Sequence, residues 1–185
     1  GFISGFTCSR GQPHRRAPQA QELLVTSLQL LDYRPDECES LFHEKTEGAL
    51  RLFSGLALPD PLKHASPPSG FRLRTEFRVW HDGNTLNYVM FPPGDSRNPR
   101  VIDDFPIAGP RITEAMTPLR AMLQRSTELR RKLFQVEFLS TLSGELLITL
   151  IYHRPLDESW RPQALELAEA LSCKIIGRSR KQKLV

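Results

Sequence analysis

Residues 71–91 read FRLRTEFRVWHDGNTLNYVMF. Leu73, Thr75, Phe77 and Val79 alternate with Arg72, Arg74, Glu76 and Arg78, the period of a strand with one buried and one charged face. His81-Asp82-Gly83-Asn84 follows with Asp-Gly and Gly-Asn steps that tolerate positive φ. The spacing therefore predicts a tight turn and a return strand over Leu86 to Phe91. A hairpin with a one-sided core seeds a sheet.

Downstream, Pro92-Pro93-Gly94 and a polar run to Pro99 interrupt the pattern before a short strand expected at Arg100 to Phe105. Ile112, Met116, Leu119 and Leu123 recur at helical spacing. Pro118 is expected to kink this helix, or to start its second piece with Thr117 as cap. Leu133 to Leu139 and Glu145 to His153 read as two strands joined by the turn-rich Ser140 to Gly144, and the second, apolar on both faces, reads as a central strand. Ser159 is placed to cap a helix with Pro162 in its first turn and Trp160, Ala164, Leu167 and Leu171 as its buried stripe. Residues 174–182 supply a last strand.

Upstream, Asp36 and Glu39 have the spacing of a capping box, and Cys38, Leu41, Phe42, Ala49, Leu52 and Phe53 approximate one helical face that Gly55 ends. The proline-rich stretch 57–70 reads as a linker. Residues 1–35, unlike the rest, read as an irregular extension. The order helix, three strands, helix, two strands, helix, strand over residues 36–185 is that of an α+β domain with a mostly antiparallel sheet and helices packed on one side.

Composition excludes several classes. At 185 residues the chain can bury one core. Cys8, Cys38 and Cys173 are distant and odd in number, which rules out a disulfide framework and a C-x-x-C site and points to a reducing cytoplasm. No run of eighteen apolar residues exists, so no membrane partner is expected. Positive charge concentrates in the sheet region. Residues 61–185 carry nineteen Lys and Arg against thirteen Asp and Glu, whereas residues 36–60 carry two bases and six acids. The densest positions are Arg130-Arg131-Lys132, the strand face of Arg72, Arg74 and Arg78, and the tail bearing Lys174, Arg178, Arg180, Lys181 and Lys183. Such a face beside accessible rings suits RNA.

Signatures of catalysis are missing. There is no G-x-S-x-G, H-E-x-x-H, phosphate-binding loop or glycine-rich dinucleotide turn in the sequence. His81-Asp82 reads as part of a turn rather than as a base with its orienter. Cys173 ends an apolar stripe and reads as a structural thiol.

The strings FRLRTEFRVWHDGN, RKLFQVEFLSTLSGELLITLIYHRPLDESWR and IIGRSRKQKL together resemble the N-terminal half of the bacterial tRNA (uracil-5-)-methyltransferases, over about Asp36 to Val185. The resemblance implies methyl transfer from S-adenosylmethionine to carbon 5 of a T-loop uridine. In that chemistry a cysteine thiolate adds to carbon 6 and a carboxylate later removes the carbon 5 proton. It further implies that these groups lie in a C-terminal Rossmann-like domain absent from this chain. The family nucleophile sits in Cys-Asn-Pro, whereas Cys8, Cys38 and Cys173 are followed by Ser, Glu and Lys. No S-adenosylmethionine is expected on this chain, and no activity from it alone.

The same resemblance implies RNA-binding roles for Phe134, His153 and Arg78, the first two stacking where bases are displaced. Pattern alone reads differently: Phe134 shares phase with Val136 and Phe138 and so belongs in the core, while His153 ends an apolar strand. Trp80 and Tyr152 read as packing residues. The expected partners are a tRNA T-arm and a C-terminal methyltransferase domain, with self-association through uncovered strand edges. The alternatives are a stand-alone RNA-binding or adaptor protein and a protein-interaction domain.

Overall fold

The computed structural model describes residues 33–180 and 182–184. The expectations for residues 1–32, Cys8 included, lie outside the described residues. Seven strands, β1 (Arg74–Asp82), β2 (Thr85–Met90), β3 (Arg100–Val101), β4 (Leu133–Ser140), β5 (Leu146–Tyr152), β6 (Lys174–Ser179) and β7 (Gln182–Leu184), form one sheet in the order β3-β2-β1-β4-β5-β6-β7. Every neighbouring pair is antiparallel except β5 and β6, which are parallel. Four helices accompany it: α1 (Cys38–Leu52), α2 (Pro110–Arg125), α3 (Thr127–Arg130) and α4 (Trp160–Ala170). The α+β, mostly antiparallel expectation holds.

The alternation in 71–79 does what its period requires. Thr75, Phe77 and Val79 are buried, while Arg74, Glu76 and Arg78 are exposed. Across the ladder Phe77 faces Val136, Val136 faces Leu150 and Phe138 faces Ile148, so these side chains share one face. That face joins Ile112, Met116, Leu119 and Leu123 of α2 and Trp160, Ala164 and Leu167 of α4 in a single core. Phe77 meets Phe105 edge-on at 5.0 Å between centroids, and Tyr88 donates its hydroxyl to the Met116 carbonyl at 2.9 Å. A Cβ at Gly177 would stand 2.6 Å from Leu156 and from the Trp160 ring, which is why α4 can approach β6 so closely.

Several local expectations need correction. No side chain caps α1: a 3-10 turn, Pro35–Glu37, precedes it, and Glu37 pairs with Arg34 at 2.8 Å. Pro35 starts that turn because it has no N–H to satisfy. Helix α1 buries no residue. Pro118 does not divide α2, which runs unbroken through it. The proline is exposed, so the carbonyl it leaves without a donor can turn to water. The strand expected to reach Phe105 stops at Val101. Ser159 occupies the cap position of α4, but its hydroxyl donates to Asp157 at 2.5 Å instead of capping. His81 and Asp82 belong to β1, so the turn is confined to Gly83-Asn84.

Candidate nucleic-acid interface

The sheet's second face carries Arg74, Glu76, Arg78 and Trp80 from β1, Gln135, Glu137 and Leu139 from β4, and Thr149 and Ile151 from β5, as the ladder partners require. Phe134 joins them through an irregularity. Leu133 pairs with Tyr152 and Gln135 with Ile151, leaving Phe134 without a partner in a β-bulge. The extra residue resets the alternation. Leu133 stays in the core, while Phe134 is only half-buried, so the in-phase reading with Val136 and Phe138 fails for it.

Freed from the core, the Phe134 ring stacks on His153 at 3.9 Å between centroids with 25° between planes. The Arg78 guanidinium carbon stands 4.0 Å from the same centroid, within cation–π range. The three residues singled out from sequence thus form one contact group, built from β1, β4 and the end of β5. His153 is exposed.

Hydrogen bonds fix the bulge from both sides. His81 Nε2 donates to the Leu133 carbonyl at 2.8 Å, and the His153 N–H donates to the Lys132 carbonyl at 2.9 Å. Lys132 adopts φ +57°, a left-handed conformation unfavourable for a residue with a Cβ. Arg154 holds the approach to it. Its Nε donates to the Arg131 carbonyl and one Nη to the Glu128 carbonyl, each at 2.9 Å, and it forms an ion pair with the Glu128 carboxylate. The Arg154 side chain is 8% exposed. Its charge is used inside the protein, and the loop before Phe134 depends on it.

Hydrogen bonds and ion pairs revise the basic map. Arg130 donates to the Gly83 and Asn84 carbonyls at 3.0 Å, clamping the hairpin tip, and Arg131 pairs with Glu128 and Asp157 at 3.4 Å. Lys132, Lys174, Arg178, Arg180 and Lys183 are exposed. Glu76 and Glu137 face each other across the ladder, and the Gln135 amide donates to both at 3.4 and 3.2 Å. That bridge offsets the repulsion of two like charges in register.

Tyr152 is packed, as expected, and accepts a hydrogen bond from the Trp160 indole at 2.9 Å. Trp80 is not: it is 40% exposed on the same face as Arg78. The alternation that places Arg78 outward also places Trp80 outward, so the signal was present in the sequence. His81 serves the bulge and not a proton relay. Burial pushes the Cys173 thiol up to about 11, with Arg111 opposing the shift. A thiol so placed stays protonated at neutral pH and is no nucleophile. Among the described residues no group of three or more His, Cys, Asp or Glu could hold a metal, and no helix is long and apolar enough to cross a membrane.

The family model described as tRNA (Uracil-5-)-methyltransferase matches residues 37–185. A tRNA/tmRNA (uracil-C(5))-methyltransferase of Aromatoleum aromaticum is 51% identical over 151 residues, 82% of this chain and 41% of that protein. Proteins of the same name from Azoarcus sp. and Ectopseudomonas mendocina are 50% and 47% identical over 153 residues, each covering 83% of this chain and 42% of the relative. The chain therefore spans about two fifths of the length of the curated relatives it matches.

Proposed function

The chain belongs to the tRNA (uracil-5-)-methyltransferase family, and from that premise we propose that residues 36–185 are the domain with which such an enzyme grips the T-arm of its tRNA. The observation that carries this reading is the Arg78, Phe134 and His153 group. Phe134 is covered by His153 on one ring face and by Arg78 on the other, so the exposed His153 ring, backed by Phe134, is the step offered to an unpaired base. Each base stacked on a ring gains roughly 1–3 kcal/mol, comparable with the few kcal/mol needed to extrude a nucleotide. Because the bulge already holds the rings together, little ordering entropy opposes docking. Arg78 adds a cation beside the rings.

S-adenosylmethionine would supply the methyl group as an electrophilic sulfonium. The residues here do not fit it. The groove beside β1 is lined by four cations and one carboxylate, Glu76, and the smaller recess at β6 and β7 is lined by Arg178 and Lys183 with no carboxylate. A positively charged sulfonium gains nothing from either. No step is derived through the cofactor on this chain; in this reading methyl transfer belongs to the part of the relatives that this chain does not match.

Binding of a T-arm hairpin by Phe134→Ala and His153→Ala tests the assignment. Each change is expected to weaken binding by about tenfold, with an unaltered circular dichroism spectrum as the control on folding. Wild-type affinity in both variants would remove the stacking role. Failure of the unaltered chain to bind tRNA even at low salt would favour a protein-interaction domain instead.

A further inference from the structure

A second feature of the outer surface lies away from the rings. Between α1 and the first half of β1 runs a recess of about 1080 Å³. It exists because β2 pairs with β1 only from Arg78 to Asp82: Pro92-Pro93 turns the chain away after Met90, and prolines cannot extend the ladder. Leu73 offers its carbonyl to Ser140 on the β4 side, whereas Arg72 exchanges bonds with Ile107 and Gly109 on the other side. Main-chain groups alternate in direction along a strand, so those of Arg74 and Glu76 face the recess, where none of the described strands meets them.

The side chains lining it are predominantly cationic. Lys45 of α1 joins Arg72 and Arg74, all three exposed, and Phe71 adds a ring that is 44% exposed. Arg34 also lines it and is paired with Glu37, while Glu76 is the one carboxylate in the lining. Among the described residues, Lys45, Arg72 and Arg74 have no ion-pair or side-chain hydrogen-bond partner.

We infer that this groove holds a stretch of RNA phosphodiester backbone through Lys45, Arg72, Arg74 and the outward main-chain N–H groups of β1, a second contact beyond the stacked rings. Charge complementarity selects the occupant. Three unneutralised cations and the main-chain N–H groups of Arg74 and Glu76 match phosphate oxygens, whereas a neutral or basic peptide would leave the cations uncompensated. Continuity supports it as well. Arg74 and Arg78 are four residues apart on β1, about 13 Å, so a single RNA molecule can touch the rings and the groove together. The inference rests on the reading that this chain's partner is RNA.

The experiment is anisotropy titration of tRNA across a salt series with the full chain, Arg72→Ala/Arg74→Ala and Phe134→Ala. The double variant is expected to bind about tenfold more weakly, with a salt slope reduced by about 1.5. Phe134→Ala is expected to weaken binding with the slope unchanged. Both altered arginines are exposed, and an unchanged melting temperature confirms the fold. If the double variant keeps the wild-type affinity and slope while Phe134→Ala weakens, the cations serve only to guard a free strand edge and the inference falls alone. If the double variant weakens and Phe134→Ala does not, the groove stands and the stacking reading falls. Competition by polyglutamate as effective as that by tRNA would make an acidic protein the occupant and overturn the RNA assignment of the groove.

Discussion

Phe134 and His153 lie nineteen positions apart in sequence, yet their rings stack at 3.9 Å with 25° between planes, and neither has a ladder partner. The two residues are therefore energetically coupled before any RNA arrives. A double-mutant cycle on folding stability with Phe134→Ala and His153→Ala is expected to give a coupling of about 0.5–1.5 kcal/mol. Strict additivity in denaturant titration would show that the rings do not touch in the free protein.

Arg154 and Glu128 form an ion pair with side chains 8% and 16% exposed. Removing the arginine leaves the Glu128 carboxylate with Arg131 alone at 3.4 Å and takes the donor from two carbonyls, so Arg154→Met is expected to lose about 2–3 kcal/mol in urea unfolding. Arg154→Met combined with Glu128→Met should recover part of that loss. Equal destabilisation in the single and double variants would mean that the arginine's bonds to the Arg131 and Glu128 carbonyls, not charge pairing, hold the loop.

The chain has two tryptophans, and the fold separates them. Trp80 is 40% exposed and Trp160 is buried at 2%. Acrylamide is expected to quench Trp80 and spare Trp160, which Trp80→Phe and Trp160→Phe resolve. Because Trp80 shares the face of Arg78, added tRNA should quench the Trp160→Phe protein. An emission unchanged at saturating tRNA would place the RNA elsewhere on the surface.

Burial raises the Cys173 thiol from 9.0 to about 11. The folded state therefore favours the protonated thiol, and its contribution to stability is complete below pH 9 and disappears as pH rises through 11. In a Cys8→Ser/Cys38→Ser background, alkylation of Cys173 by iodoacetamide should be slower at pH 8 than that of a free thiol and should accelerate into that alkaline range. Reaction at the free-thiol rate at pH 8 would contradict the burial.

Much of the architecture was legible because it follows from local periods. Thr75, Phe77 and Val79 point inward, and Arg74, Glu76 and Arg78 outward, as alternation alone requires. The stripe Ile112, Met116, Leu119 and Leu123 is buried along α2 in the same way. Caps were read less well. Asp36 falls inside the 3-10 turn, which leaves Glu37 at the cap position, and the Ser159 hydroxyl donates to Asp157 instead of capping.

By itself, the sequence determined a hairpin-seeded α+β sheet with one charged face, since strand and helix periods are set by covalent geometry within a few residues. It also carried the motifs by which the family can be identified. Only the tertiary structure decided that Phe134 leaves the core, because a bulge is a mismatch between two strands and is pinned here by His81, 52 residues away. It likewise decided which arginines are spent inside the protein and which face solvent. Charge is a property of a residue, whereas its availability depends on the carboxylates and carbonyls that distant segments bring within reach.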